Sequence, residues 1–258
     1  MVENPAVAAR LRAAGCVFAE DEARLLADAA RTPDELDDMV KRRVDGLPLE
    51  QVVGWAEFCG LRIYVEPGVF VPRRRSEFLV ETAVALSAAR SPVIVDLCCG
   101  TGALGVAVAA RLRGGELHAA DVDPDAVHCA RRNVEPAGGH VYEGDLFAPL
   151  PTALHGRVTT LLCNAPYVPT GEIPLLPAEA RDYEHRVALD GGDDGLTVLR
   201  RAASEAPRWL APGGHLLVET SGRQAGLMAA AMAAAGLEAA VHENEDYGSA
   251  VVTGTMAA

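Results

Sequence analysis

The sequence is poor in lysine, in aromatic residues and in positive charge. Lys41 is the one lysine among 23 basic residues, and because it lies in a charge-rich helical stretch, chemistry that needs a lysine nucleophile is discounted. Aromatic residues make up 5% of the chain, and the formal net charge is −13. Enzymes that act on nucleic acid need a basic groove and aromatic side chains that stack on bases, so a nucleic-acid partner is not expected.

Cysteines at zinc-site spacing and long apolar runs are also missing. The six cysteines show no repeated short spacing and follow no secretory leader, which favours thiols in a reducing cytoplasm. The most apolar late stretch, Ala225 to Val241, is interrupted by Gly226, Gly236 and Glu238, and it falls short of the roughly 20 apolar residues that cross a bilayer. We therefore expect a cytoplasmic protein with no metal site and no membrane-spanning helix.

The 258 residues divide by pattern into three segments. Residues 1–46 carry apolar residues at helical spacing among charged ones, which predicts a small helical domain. Residues 47–75 contain short β-like runs around the turn Glu66-Pro67-Gly68, which predicts a β-hairpin linker. In residues 76–258 strands alternate with helices, the pattern of an α/β fold with a parallel sheet. The strands predicted there are Val93–Leu97, Leu117–Ala120, His140–Glu143, Val158–Cys163, His215–Glu219 and Ala250–Thr253.

A glycine-rich turn follows the first of these strands. Gly100, Gly102 and Gly105 stand in G-x-G-x-x-G spacing where the strand gives way to a helix, and such a turn lets backbone amides approach a nucleotide. Asp121 ends the next strand about 20 residues later, where a carboxylate can accept hydrogen bonds from two ribose hydroxyls. The pattern therefore predicts a nucleotide-type cofactor.

Two cofactors fit these glycines. A dinucleotide would seat its pyrophosphate on the start of the helix, and the three glycines satisfy that requirement. Asp96, at the opening of the loop, would repel a pyrophosphate but suits the cationic sulfonium or the ammonium group of S-adenosylmethionine. S-adenosylmethionine is therefore favoured over NAD. Further along, Asp123 before Pro124 is expected to cap a helix.

The tetrad Asn164-Ala165-Pro166-Tyr167 follows the predicted strand Val158–Cys163, so it lies at a strand end where open α/β sheets bind ligands. An amide nitrogen is a poor nucleophile, and methyl transfer to it needs acceptors that hold both N–H groups. Asn164 Oδ1 and the carbonyl group of Ala165 can be those acceptors, while Tyr167 can pack against the planar amide. Pro166 stiffens the turn. The tetrad is thus the candidate substrate site, with Asn164 and Tyr167 as candidate catalytic residues.

Short motifs occur in order along nearly the whole chain. They are Pro48–Phe58, Pro67–Glu77, Asp96–Gly102, Asp121, Gly144–Phe147, Asn164–Tyr167 and Tyr183–Gly192. Together they resemble the HemK-type protein-(glutamine) methyltransferases, which methylate the glutamine amide nitrogen in the Gly-Gly-Gln tip of peptide-chain release factors. The resemblance implies a Rossmann-like class I methyltransferase sheet, a helical N-terminal domain that docks the substrate, S-adenosylmethionine as cofactor, and a release factor or another glutamine-bearing protein as partner.

The resemblance also implies roles for single residues. The methionine end of the cofactor would lie against Cys98, Gly100, Thr101 and Gly102. Asp121 would hold the ribose, and Leu146 would pack on the adenine. Asn164 would lie near both cofactor and substrate, and Asn164 to Tyr167 would bind the glutamine amide. No metal is implied.

The sequence departs from the family pattern at three places. Ala165 replaces the first proline of Asn-Pro-Pro-Tyr, which keeps the carbonyl acceptor but frees its φ angle. Cys98-Cys99 replaces smaller residues in the glycine loop, where inert packing is favoured over a redox or metal role. The run Arg73-Arg74-Arg75-Ser76-Glu77 replaces Arg-Pro-Glu-Thr-Glu, so an acidic position becomes basic. A paralogue that methylates another amide or amine acceptor therefore stays open.

Two further alternatives remain. Adenine-specific DNA methyltransferases carry a similar tetrad, because an exocyclic amine and a carboxamide present similar planar NH₂ groups, but the acidic charge and the few aromatic residues disfavour them. A binding module that keeps the cofactor fold without turnover would explain Ala165 and the bulky cysteine pair.

Overall fold

The computed structural model describes residues 4–88, 91–244 and 249–258. Its α-helices are α1 (Pro5–Ala13), α2 (Ala19–Ala29), α3 (Pro33–Val44), α4 (Leu49–Val53), α5 (Glu77–Leu86), α6 (Ala103–Arg111), α7 (Pro124–Val134), α8 (Ala178–Tyr183), α9 (Thr197–Trp209) and α10 (Gly222–Ala234). Its strands are β1 (Trp55–Phe58), β2 (Leu61–Tyr64), β3 (Val93–Leu97), β4 (Glu116–Asp121), β5 (His140–Glu143), β6 (Val158–Cys163), β7 (Leu210–Thr220), β8 (Glu238–Asn244) and β9 (Ser249–Thr255).

Helices α1 to α4 pack on one another around a hydrophobic cluster of their own. Leu11, Leu26 and Val40 are fully buried there, and Val52 of α4 joins them. The Thr32 side chain accepts a hydrogen bond from the Glu35 amide and so caps α3, because a helix start leaves backbone N–H groups without intrahelical partners. The four helices thus bury their apolar faces against each other rather than against the sheet.

A β-hairpin follows, but its turn differs from the prediction. β1 pairs antiparallel with β2 in the register Trp55↔Tyr64, and the chain reverses at Cys59 and Gly60, both of which have positive φ. The predicted turn at residues 66–68 lies after the hairpin. Our interpretation was wrong here because Pro67-Gly68 is a stronger local turn signal than Cys59-Gly60, while strand pairing decides which turn closes a hairpin.

The large sheet has the strand order β5-β4-β3-β6-β7-β9-β8. The first five strands run parallel, whereas β9 pairs antiparallel with β7 and β8 pairs antiparallel with β9 at the edge. The predicted α/β fold is confirmed, and every strand predicted within residues 76–258 is present. β8 was not predicted, because as an edge strand with mostly exposed side chains it lacks an apolar run.

Helices cover both faces of this sheet. Ile94 of β3 faces the layer that contains α5, α6 and α7, whereas its neighbour Val95 faces the layer that contains α9 and α10. Successive side chains of a strand point to opposite faces, so β3 is buried along its whole length. In the described part of the chain, no helix combines the length and the apolar character that crossing a membrane requires.

Candidate active site

A cavity of about 620 Å³ opens at the carboxyl ends of β3, β4 and β6, within the range of small-ligand sites. Because these strands are parallel neighbours, their ends meet at one edge: Leu97 pairs with Ala120 on one side and with Cys163 on the other. The predicted site residues that line the cavity are Cys98, Gly100, Thr101, Asp121, Leu146, Asn164, Ala165, Pro166 and Tyr167. The structure therefore brings together residues that the sequence separates by 69 positions or fewer, counted from Cys98 to Tyr167.

Asp121 shapes the glycine loop from the end of β4. Its Oδ2 accepts a hydrogen bond from the Gly100 amide at 2.8 Å, and its Oδ1 accepts one from the Asp123 amide at 3.0 Å. Burial is the largest influence on this carboxyl group and raises its pKa, which the backbone donors partly offset. Asp121 thus faces the cavity while it fixes the loop on one side.

Two glycines of the loop differ in the space around them. At Gly100, φ is +54° and a Cβ would meet no atom within 4 Å, so the space beside it is open. At Gly102, φ is +77° and a Cβ would lie 2.6 Å from Val134 Cγ2. Gly102 is not among the residues that line the cavity, and close packing against α7 accounts for its glycine.

Asp96 lies below the loop instead of at its opening. Its side chain is fully buried, and Oδ2 accepts a hydrogen bond from the Gly105 amide at 2.8 Å. Desolvation raises its pKa to about 8, against the opposing effect of that hydrogen bond. The prediction that Asp96 faces the cofactor was therefore wrong. Near the carboxyl end of β3 the Asp96 side chain points into the protein interior and not into the cavity. Asp123 does cap α7 as predicted, by accepting from the Asp125 amide.

The vicinal cysteines differ in burial, since Cys98 is half-buried at the cavity and Cys99 is buried. Cys98 lies beside Cys163, and this contact together with burial raises its pKa well above the ordinary thiol value. Desolvation likewise raises the pKa of Cys99. Only the thiolate is a strong nucleophile or metal ligand, so both groups are inert at neutral pH.

Asn164 is oriented by a residue that sequence reasoning missed. Its Nδ2 donates a hydrogen bond to Ser76 Oγ at 3.3 Å, and Ser76 is 2% exposed. In the described part of the chain, no group donates to Asn164 Oδ1 or to the carbonyl oxygen of Ala165. Both oxygens are left as acceptors beside the cavity.

Tyr167 is held by a buried carboxylate and an arginine. Its hydroxyl donates to Glu219 Oε1 at 2.8 Å, and Arg75 Nε lies 3.1 Å from both oxygen atoms. Burial, followed by the charge of Glu219, raises the pKa of Tyr167, so the phenol stays protonated. The sequence offered one signal for Glu219, an acidic residue at the end of an apolar strand, and although it singled out Tyr167 and Arg75, it gave no sign that Glu219 pairs with them.

A strap formed by residues 168–191 closes the cavity next to the tetrad. Glu184 accepts from the Val71 amide at 3.1 Å and from Arg73 at 2.5 Å, and its side chain is fully buried. His185 Nδ1 lies 2.6 Å from Asp123 Oδ2. These bonds fasten the strap to the hairpin segment and to the end of β4. Arg73 and Arg75 of the basic run thus bind the buried carboxylates of Glu184 and Glu219.

One group of metal-type ligands comes together in the described ranges. Asp123, Asp125 and His185 each bring a ligand atom within 4.8 Å of the others. The short contact between His185 and Asp123 already engages two of the three. The contact of His185 with Asp123 joins the strap to the end of β4.

Comparison with known proteins places this architecture among methyltransferases. A family model described as "Methyltransferase small domain" matches residues 60–174. A solved methyltransferase from Pyrococcus furiosus superposes with a TM-score of 0.54 at 13% identity and covers 76% of this chain and 90% of its own. A likeness at that identity shows the fold alone, and it confirms the predicted class I sheet.

Curated relatives are more similar. A release factor glutamine methyltransferase from Geobacter sulfurreducens is 39% identical over 197 residues, which cover 74% of this chain and 68% of the relative. The enzyme of the same name from Mycolicibacterium smegmatis is 38% identical and covers 84% and 78%. A 4-amino-L-phenylalanine/4-methylamino-L-phenylalanine methyltransferase from Streptomyces pristinaespiralis is 35% identical over 186 residues, which cover 70% of this chain and 63% of the relative. With this fold, this site and these relatives, the chain belongs to the HemK-type family of release factor glutamine methyltransferases, which depend on S-adenosylmethionine.

Proposed function

We propose that this protein transfers a methyl group to the side-chain amide nitrogen of a glutamine in the Gly-Gly-Gln motif of a peptide-chain release factor. The observation that carries the proposal is a pair of acceptors at the edge of the cavity, Asn164 Oδ1 and the Ala165 carbonyl oxygen, to which no described residue donates. A primary carboxamide has two N–H donors, and two fixed acceptors match them. Sequence relatives with this activity support the same conclusion.

The lining of the cavity fits the cofactor. Open space beside Gly100 allows a ligand to approach the loop backbone, and the Asp121 carboxylate supplies an acceptor for hydroxyl groups. Leu146, which is 5% exposed and has a φ of +49°, offers an apolar surface after β5. S-adenosylmethionine would supply an electrophilic methyl group on a sulfonium. We assign Cys98, Gly100, Thr101, Asp121, Leu146 and Asn164 to its binding, with Gly102 keeping the loop in shape.

The chain's own residues then orient the acceptor. Asn164 Oδ1 and the Ala165 carbonyl oxygen would accept hydrogen bonds from the two N–H groups of the substrate amide. They would thereby point the amide nitrogen at the methyl group, and holding the reactants in this orientation lowers the entropic part of the activation barrier. The Tyr167 ring would pack on the planar amide, with its hydroxyl held by Glu219. No side chain is assigned as a base, because the amide proton becomes strongly acidic once the nitrogen has been methylated.

The remaining assignments concern the rest of the molecule. We propose that residues 1–46 dock the protein substrate, that residues 47–75 link them to the body, and that residues 76–258 form the catalytic domain. Arg43 supports a fixed position of the helical domain on the body, since it binds Glu22 in α2 and Glu179 in α8, each at 2.6 Å. The six free cysteines suit a cytoplasmic location, where release factors act.

A second candidate is N-methylation of an aromatic amine on a small molecule. It is favoured by the Streptomyces pristinaespiralis relative, whose identity is close to that of the release factor enzymes. An aromatic NH₂ group is planar and offers the same two donors to Asn164 and Ala165.

Methyl transfer to purified folded release factor, with labelled S-adenosylmethionine and mass mapping of the product, tests the proposal. We expect one methyl group on the Gly-Gly-Gln glutamine, and a loss of at least about 100-fold in Asn164→Ala, whose cofactor affinity is measured in parallel. Cofactor binding without transfer to any Gly-Gly-Gln protein would overturn the proposal. Labelling of 4-amino-L-phenylalanine in its place would establish the second candidate.

A further inference from the structure

Arg75 lies at the rim of the cavity beside the tetrad. It is one of the residues that line the cavity, and 42% of its side chain is exposed. Its guanidinium carbon is 6.0 Å from the centre of the Tyr167 ring. A group on the acceptor next to the methylated nitrogen would therefore come close to this arginine.

Glu219 anchors that guanidinium from one side only. Arg75 Nε donates to Glu219 Oε1 and to the Tyr167 hydroxyl, both at 3.1 Å. Glu219 is 1% exposed, so the carboxylate that fixes the arginine is shielded from solvent. Holding a long side chain in place before binding lowers the entropic cost that a flexible arginine would pay.

The outer edge of the guanidinium has no hydrogen-bond partner in the part of the chain that the structure describes. Within residues 4–88, 91–244 and 249–258, neither terminal nitrogen of Arg75 donates to another group. Two parallel N–H donors on a planar cation match the two oxygen atoms of a carboxylate. Two carboxylates of the cavity lining are bound by other arginines, since Glu184 Oε1 accepts from Arg73 and Glu179 from Arg43.

We propose that Arg75, held by Glu219, is a specificity-determining residue that binds a carboxylate on the acceptor next to the amide that is methylated. The preferred substrate is then a glutamine flanked by an acidic residue. This inference rests on the proposed function in that it places a glutamine side chain at Asn164. It adds a preference that the neutral Gly-Gly-Gln sequence does not contain.

Peptide binding tests the inference without turnover. Two synthetic peptides carry one central glutamine, flanked by Asp on both sides in the first and by Asn on both sides in the second. Their dissociation constants are measured by calorimetry against the full-length protein saturated with S-adenosylhomocysteine. We expect the Asp peptide to bind about tenfold more tightly, which is the effect of one good charge-assisted pair.

Variants then identify the residue responsible. Arg75→Lys keeps the charge but removes the planar pair of donors, so the preference should fall to about twofold, and Arg75→Glu should reverse it. Arg74→Lys is the matched control, because Arg74 is an exposed neighbour outside the cavity lining, and it should keep the wild-type preference. Glu219→Gln, which frees the guanidinium from its anchor, should weaken binding of the Asp peptide while circular dichroism stays unchanged.

The wild-type comparison is decisive even where a variant fails to fold. Equal affinity for the two peptides, or binding of neither, overturns the inference. So does a preference that Arg75→Lys leaves intact. Because the readout is binding, a lack of methyl transfer to release factor would refute the proposed function and leave this result standing.

Discussion

The side-chain nitrogen of Asn164 donates a hydrogen bond to Ser76 Oγ across 88 positions of sequence. A serine hydroxyl can accept or donate a hydrogen bond, and in this structure Ser76 Oγ accepts from Nδ2, so the oxygen end of the carboxamide is the free one. With Nδ2 engaged, Oδ1 is the atom offered to a substrate. Ser76 is therefore a positioning residue for the tetrad.

Replacing Ser76 should lower turnover more than binding. In Ser76→Ala the amide of Asn164 can rotate, and we expect kcat for methyl transfer to fall about fivefold to tenfold, the effect of one lost hydrogen bond. KM for the acceptor should change less. Ser76→Thr keeps the hydroxyl and should restore kcat, whereas Ser204→Ala, on the exposed face of α9, should resemble the wild type. A Ser76→Ala enzyme with wild-type kcat would refute this role.

Removing the hydroxyl of Tyr167 should mainly lower stability, whereas removing its ring should mainly lower activity. Tyr167→Phe keeps the ring but deprives buried Glu219 of a donor, which should lower the free energy of unfolding by about 1–3 kcal/mol and kcat/KM only a few-fold. Tyr167→Ala removes the packing surface and should lower kcat/KM by about 100-fold. Chemical denaturation and steady-state kinetics measure the two effects. Tyr142→Phe is the control, since its hydroxyl contacts His118 away from the cavity.

Two glycines with nearly the same φ should differ in their tolerance of a methyl group. Gly102 has a φ of +77°, and a Cβ added there would lie 2.6 Å from Val134 Cγ2, whereas Gly138 has a φ of +81° and open space. Gly138→Ala should lower the free energy of unfolding by about 1 kcal/mol, because alanine is disfavoured in the left-handed conformation. Gly102→Ala should cost about 2–3 kcal/mol more because of the clash. Equal losses in urea denaturation would show that packing against α7 is unimportant.

The buried carboxyl group of Asp96 should make stability depend on pH. Its pKa is raised to about 8 in the folded protein, against about 4 when unfolded. Below about pH 4 both states are protonated, and between about pH 4 and 8 only the unfolded state loses the proton, so stability falls as pH rises through that window. The slope is at most about 1.4 kcal/mol per pH unit.

Asp96→Asn isolates this effect, because asparagine has nearly the same shape and does not titrate. We expect its unfolding free energy to exceed that of the wild type by a margin that grows from about pH 5 to about pH 8. The exposed Asp38→Asn variant controls for other titrating groups. A difference that stays constant over this range would mean that Asp96 is ionised in the folded protein.

Much of the architecture could be predicted because its signals are local. The apolar runs of β3 and β6 identify buried strands whatever they pair with, and Asp123-Pro124 marks the start of α7. β8 and the hairpin turn at Cys59-Gly60 escaped prediction, since an edge strand and a turn are defined by the strand that pairs with them.

The sequence by itself determined that a glycine loop, an acidic strand end and an Asn-Ala-Pro-Tyr tetrad lie at strand ends, because parallel strands present their carboxyl ends at one edge. Only the tertiary structure decided that Asp96 is buried, that Ser76 orients Asn164, and that Glu219 holds Arg75 and Tyr167. These relations join residues that lie far apart in the chain, or depend on which way one side chain points. Strand order and packing determine these distant contacts and these side-chain directions, and no local sequence pattern encodes them.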